Sequence, residues 1–295
     1  MKKFLAFDIG GTKIAYAVVA ENGKLQTERR KIETPKTKDD IYRCLEEIVR
    51  QYEPEIDAVA IATAGAVSLD NKRIVSSVGN MAPGYRDIDF QSLSSKPVYL
   101  ENDANAVAWA EYKTGAGKGY NNVIVIAIGT GLGLGVIADG HLFKGKSGAG
   151  TEAHFSINRG QKRRCSCGAY DCYEIYASGT ALGLDAKEAF GDEHMTSYDL
   201  IRLMQEGNPK AKEVFDMWQN DILSGIIGFA NLFDPDMIVL FGSLVEYIEV
   251  GKLEKEANKQ LVSSPFLLRK ADNGHNAAMI GAALIAADYV NGNRK

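Results

Sequence analysis

One local pattern occurs twice in this chain, and it limits the fold more than any other feature. The apolar segment 4–9, with Asp8 near its end, meets the turn Gly10-Gly11-Thr12-Lys13, and Ile14–Ala20 is apolar again. About 120 residues later, Asn122–Ile128 leads into Gly129-Thr130-Gly131-Leu132-Gly133, and Leu134–Ala138 follows. Apolar run, glycine turn, apolar run predicts a β-hairpin. Two copies at that distance predict two related α/β lobes.

The segments between the copies fit that plan. A third strand is expected at about Gln26–Lys31, then a helix at about Lys38–Gln51 with Ile41, Leu45, Ile48 and Val49 on one face. Strands follow at Ala58–Thr63 and Val98–Leu100, with an alanine-rich helix at Asp103–Tyr112. Beyond the second copy, helices are expected at about 179–190, 198–206, 209–233, 251–260 and 277–289. Strands are expected at 237–241 and 266–270. Strands alternating with helices predict mixed or parallel sheets covered by helices.

Backbone N–H groups converging from a tight turn bind phosphate well, and side chains would block the approach. Thr12, Lys13 and Thr130 could add donors, and Asp8 could orient a Mg2+ carried by a nucleotide. Each turn could also merely close a hairpin; the presence of two, each with a threonine, favours phosphate. Neither is a Walker A loop or a dinucleotide fingerprint, because neither opens directly into a helix. Glu101-Asn102-Asp103-Ala104-Asn105 sits at a strand end, where α/β proteins bind ligands. An Asp there can accept a proton from a hydroxyl that attacks a phosphoryl group. Equally, Asn102 or Asp103 could simply cap the following helix.

Three of the four cysteines, Cys165, Cys167 and Cys172, cluster downstream of His154. Thiolate and imidazole are ligands that zinc prefers, and four of them complete a tetrahedron with no open position. Such a site braces a loop and does not activate water; reduced cysteines without metal are the alternative. Cys44, inside the first helix, reads as a small core residue. The net charge of -4 argues against a broad nucleic-acid surface. Lys162-Arg163-Arg164 reads as a solvated loop. No segment approaches the roughly 20 apolar residues of a membrane span, and the cysteine usage fits a reducing cytoplasm.

Asp8-Ile-Gly-Gly-Thr-Lys13, Glu101-Asn-Asp-Ala-Asn105, Ile128-Gly-Thr-Gly-Leu-Gly133 and Cys165-x-Cys167-Gly-x-x-x-Cys172-x-Glu174-x-x-x-Ser178-Gly179 resemble the ROK family of bacterial sugar kinases and related repressors. The similarity runs from Asp8 to the small-residue helix near Gly281. It implies the two-lobed actin-like ATPase (ribonuclease H-like) α/β fold, with ATP in a cleft between the lobes. The small lobe would be 1–112 with 277–295 returning to it, and the large lobe 113–276. It further implies an ATP-dependent kinase acting on a sugar hydroxyl, usually O6 of a hexose, and a homodimer. Asp103 matches the catalytic base and Asn102 a sugar-holding residue. Asp8, Gly10, Gly11, Thr12 and Lys13 match the first phosphate loop, and Gly129, Thr130, Gly131 and Gly133 the second. His154, Cys165, Cys167 and Cys172 match a structural zinc site, and His154 and Glu174 match residues that reach the C1–C2 side of the sugar.

The chain also departs from the family pattern. Gly150-Thr151-Glu152-Ala153-His154 stands where Gly-Glu-x-Gly-His is common, so Thr151 replaces the glutamate that grips the sugar. Glu152 comes one place later, and in an extended segment it would point the opposite way. Asp171 replaces a glycine, Ala64-Gly65-Ala66 a proline-containing turn beside the sugar, and Phe241-Gly242-Ser243 a triple glycine on the adenine side. Thr151 is therefore expected to alter selection at C1–C2, admitting an N-acetylated or β-linked sugar. Two rivals remain: a repressor of the same family, which would need a DNA-binding domain ahead of Asp8, and a catalytically silent sugar-binding protein. Retention of Asp103 and both glycine turns counts against the second.

Overall fold

The computed structural model describes residues 1–76 and 81–293. The tail 291–295 reads from its sequence as frayed, and its Arg294 and Lys295 lie outside the described residues.

The first glycine turn joins β1 (Lys3–Ile9) to β2 (Lys13–Ala20), paired antiparallel so that Asp8 faces Ala15 and Ile9 faces Ile14. Next come β3 (Arg30–Glu33), α1 (Lys38–Tyr52) and β4 (Ala58–Thr63). A small hairpin of β5 (Ala66–Val67) and β6 (Ile74–Ser76) precedes β7 (Val98–Asn102) and α2 (Asp103–Thr114). The resulting sheet has the order β3-β2-β1-β4-β7. The third strand starts four residues later than its sequence pattern predicts. Val18 donates its N–H to the Thr27 hydroxyl (2.9 Å), so a side chain takes the place of a ladder bond there. α1 follows its periodicity: Thr37 caps it by accepting from Asp40 N–H, and Ile41, Leu45, Ile48 and Val49 are buried. Each such fully buried aliphatic side chain contributes about 1.5–3 kcal/mol. Cys44 is half-buried against the same core.

The second half repeats the pattern. β8 (Val123–Ile128), β9 (Leu132–Ala138) and β10 (His141–Leu142) come first. The helices α3 (Glu174–Ala177), α4 (Gly179–Phe190), α5 (Ser197–Gln205) and α6 (Pro209–Phe233) follow. β11 (Met237–Phe241), α7 (Val250–Asn258), β12 (Leu267–Lys270) and α8 (Ala277–Val290) complete the chain. The sheet order is β10-β9-β8-β11-β12, which is the first order over again. Duplication of this sheet is the actin-like ATPase arrangement expected above.

Two compact units result. The first comprises Met1–Gly119, Gly135–Thr151 and Asp272–Lys295, and the second Tyr120–Leu134 and Glu152–Ala271. The segment 135–151, expected in the large lobe, belongs to the first unit. Its Gly135 lies against Ala104 and Ala108 of α2, and its Lys144 pairs with Glu101. In this unit α2 and α8 are buried almost all round and cross closely. A Cβ on Gly281 would run into the carbonyl of Ala106, so only glycine permits that crossing. Among the described residues, no helix is long and apolar enough to cross a membrane.

Candidate active site

In the first unit, Asp8 at the end of β1 and Asp103 at the start of α2 come close enough to repel one another. Burial, reinforced by the negative charge of Asp103 and opposed by Arg29, pushes the Asp8 carboxyl up to about 6. Burial likewise raises Asp103, against the N–H of Ala104, which donates to its Oδ1 (2.8 Å). Arg29 gave no signal in the sequence. Its Nε and Nη1 are buried without a hydrogen-bond partner, and burial lowers its pKa. Thr34 braces the Gly10–Lys13 turn, its hydroxyl donating to the Gly10 carbonyl (2.6 Å) and its N–H to that of Thr12 (3.1 Å). Thr12 and Lys13 are left exposed.

Asn102 does cap α2: its Oδ1 accepts from Asn105 N–H (3.1 Å). The other end of the same side chain donates to the Gly65 carbonyl (3.1 Å), in a turn where Gly65 has φ 93°. Both ends of the Asn102 side chain are thus engaged within the protein, and Asp103 stays partly open at the helix start.

In the second unit, the Gly129–Gly133 turn is pinned by α4, whose Gly179 N–H donates to the Gly129 carbonyl (2.8 Å). A pocket of about 510 Å³ opens beside it, lined by Thr130, Gly179, Leu184, Met195, Tyr198 and Leu244 among others. The Tyr198 and Ser243 hydroxyls hydrogen-bond across its rim (2.6 Å). Gly242, at φ 132°, fits only because it lacks a side chain, since a Cβ there would strike the Ile128 carbonyl. The single glycine thus keeps what the position needs.

His154, Cys165, Cys167 and Cys172 converge, with their ligand atoms within 4.8 Å of one another. A tetrahedral zinc with ordinary bond lengths separates its ligand atoms by roughly 3.5–3.8 Å, and His154 Nδ1 lies 3.4 Å from Cys172 Sγ. The donor set fits zinc. Burial pushes Cys172 up to about 12 and raises Cys165, so a cation is what would hold these sulfurs as thiolates. The second imidazole nitrogen faces Glu152 (3.7 Å).

Two expectations change here, those for the 150–152 segment and for Arg163, and Glu174 is found with a partner. Thr151 has φ 69° and its hydroxyl donates to the Gly150 carbonyl, so residues 150–151 form a turn. The alternation that was to turn Glu152 away does not apply. Glu174 is committed to the second glycine turn, its Oε2 accepting from Leu132 N–H (3.0 Å). Arg163 is not part of a solvated loop: it pairs with Asp185 (2.6 Å) and Glu188 (3.0 Å) and lies over the Tyr176 ring. Asp171, read only as a missing glycine, organises this region. It holds the left-handed φ of 51° that a glycine would supply. Burial would raise its carboxyl, but Tyr176 and the N–H groups of Arg163, Gln161 and Arg159 donate to it and lower it to about 2.

A model of the ROK family matches residues 4–289. The chain is 32% identical to the glucokinase of Streptomyces coelicolor, over 96% of this chain and 97% of that protein. It is 31% identical to the N-acetylmannosamine kinase of Yersinia pestis, over 97% and 99% respectively. The crystal structure of a ROK family glucokinase from Streptomyces griseus in complex with glucose and AMPPNP is 29% identical. It superposes with a TM-score of 0.83, covering 96% of this chain and 98% of that one. With the duplicated sheet and the ordered motifs, these matches establish that the chain belongs to the ROK family.

Proposed function

We propose that this protein transfers the γ-phosphoryl group of ATP to the O6 hydroxyl of a hexose or hexose derivative, with Asp103 as the base. The chain is a carbohydrate kinase of the ROK type. One observation carries the role of Asp103: a partly open carboxylate at the start of α2, directly after β7, with burial raising it above the ordinary carboxylate value. Asn102, held from both ends, would fix the sugar beside it. Thr12, Lys13 and Thr130 would meet the phosphates, and the adenosine would occupy the pocket beside Tyr198. Asp8 would orient the Mg2+ that the nucleotide carries. His154, Cys165, Cys167 and Cys172 would hold a structural zinc, which supplies a cross-link and no reacting group. Through Glu174, the cysteine loop also steadies the second glycine turn.

The test is ATP consumption over a sugar panel, wild type beside Asp103→Asn. The variant should lose about 10²–10⁴-fold in kcat. Equal sugar-dependent turnover in the two proteins would refute the assignment. Thr151 supports a second reading, in which an N-acetylated or β-linked sugar is the substrate. Comparing glucose, N-acetylmannosamine and a β-glucoside decides it, and strict glucose specificity would sink it. A cytoplasmic location and a homodimer complete the proposal; sedimentation velocity checks the latter.

A further inference from the structure

Glu101 stands immediately before Asn102 and Asp103, and its carboxylate is fully enclosed. Its Oε1 accepts from the N–H of Asn102 (3.0 Å) and from the Asn105 amide (3.2 Å). Its Oε2 accepts from the Asn71 amide (2.8 Å) and faces the Lys144 ammonium (3.1 Å). The Glu101 side chain is wholly buried and that of Lys144 is only 10% exposed. Lys144 uses its remaining donors on the Ser68 carbonyl and Asn71 Oδ1 (both 3.1 Å). Asn71 is buried in a left-handed conformation and also accepts from the Tyr289 hydroxyl (2.8 Å). The backbone carbonyl of Lys144 accepts from Gly150 N–H (3.0 Å), one residue before Thr151. A buried ion pair is poor at stabilising a fold compared with well-packed apolar residues. This pair instead ties together two segments far apart in sequence.

We propose that Glu101 and Lys144 are positioning residues, a clamp that sets the Asn102–Asp103 helix start and the loop from Lys144 to Thr151 as one piece. The sugar-holding side chain and the sugar-selecting loop then share a single anchor. The inference rests on the kinase reading above. The variants are Glu101→Gln, Lys144→Met, their combination, Lys144→Arg and Tyr289→Phe. They are assayed for kcat, for KM of sugar and of MgATP, for Tm, and for amide hydrogen exchange.

Glu101→Gln and Lys144→Met should each raise the sugar KM about tenfold or more and lower kcat, leaving the MgATP KM within about twofold. Exchange should rise in 102–106 and in 144–151 together. Lys144→Arg should restore most of the sugar affinity. The double variant should recover Tm without recovering sugar KM, because it removes the uncompensated charge but not the lost anchor. If Glu101→Gln fails to fold, Tyr289→Phe, which deletes a single hydroxyl that donates to Asn71 Oδ1 and lies near the Leu69 carbonyl, should still raise exchange in both segments. Exchange rising in one segment only, sugar and MgATP KM rising in parallel, or wild-type sugar kinetics in the double variant would overturn the clamp. A wild type that consumes no ATP with any sugar would refute the kinase reading alone, and the exchange data would still decide the clamp.

Discussion

In the first sheet the strand before the glycine turn ends Asp8-Ile9-Gly10; in the second the matching strand ends Ala127-Ile128-Gly129. The strand order is the same, β3-β2-β1-β4-β7 against β10-β9-β8-β11-β12. The titratable pair belongs to the first copy alone. Asp8 has no acidic counterpart at Ala127, and the second unit offers a pocket of largely uncharged residues and a Cys/His cluster. The duplicated scaffold thus serves two tasks. One copy raises carboxylates by burial, and on the reading proposed above the other would take the nucleotide and fasten a loop through its Cys/His cluster. This division can be broken experimentally at either end.

Among the tests of this division, the largest effect should follow loss of the cluster. Cys172→Ser, or prolonged exposure to a strong chelator, should abolish sugar-dependent turnover by about 100-fold or more and release zinc in a one-to-one ratio with protein. Amide exchange should rise across 154–174 while the β1–β2 hairpin stays protected. Equal loss of protection in both units would show that the brace is not local to the second.

Asp171→Asn comes next. The amide retains hydrogen-bonding capacity but not the charge on which the N–H groups of Arg159, Gln161, Lys162 and Arg163 and the Tyr176 hydroxyl converge. Zinc affinity should fall about 10- to 100-fold, the range for residues that orient metal ligands. A competition titration with a chromogenic chelator measures it, and unchanged affinity would mean that Arg163 and Arg159 hold the loop without Asp171.

How much of this was legible in the sequence follows the range of the interactions involved. α1 was legible from Ile41, Leu45, Ile48 and Val49, because one face of an amphipathic helix is written every three or four residues. The glycine turns, the cysteines and Asp103 were legible because motifs are local. α2 and α8 carry little periodicity, since each is buried on nearly all sides. Only their alanine and glycine content hinted at the close crossing at Gly281. Membership of 135–151 in the first unit depends on the Lys144–Glu101 contact across more than forty residues, which no local pattern records. Asp171 was visible only as a departure, because the N–H groups that justify it come from a loop without regular structure.

The Asp8 carboxyl gives a smaller effect with a defined sign. Its folded pKa of about 6 lies above the 3.8 of an unperturbed Asp. Between about pH 4 and 6 the folded protein therefore holds a proton that the unfolded chain has released. Stability should fall as pH rises through that window and level off above it. Asp8→Asn should remove the slope and stabilise the protein above pH 6 by on the order of 1–3 kcal/mol, with partial solvent access keeping the value toward the low end. Urea unfolding at pH 4.5 and 7.5 measures this. The same variant should weaken MgATP binding more at pH 7.5 than at pH 5, since only the ionised carboxylate attracts the cation. A gain in stability equal at both pH values would mean that Asp8 is not the titrating group, and the contrast with Ala127 would lose its electrostatic content.

The smallest expected effect probes the other copy. Tyr198→Phe removes one hydroxyl from the pocket rim and leaves Ser243 without its 2.6 Å partner. A neutral, partly exposed hydrogen bond is worth about 0.5–1.5 kcal/mol. The MgATP KM should therefore rise by about two- to tenfold, while the sugar KM and the pH dependence set by Asp8 stay as in the wild type. A shift in the sugar KM instead would mean that the pocket beside Gly129 serves the sugar, and the tasks assigned to the two copies would exchange places.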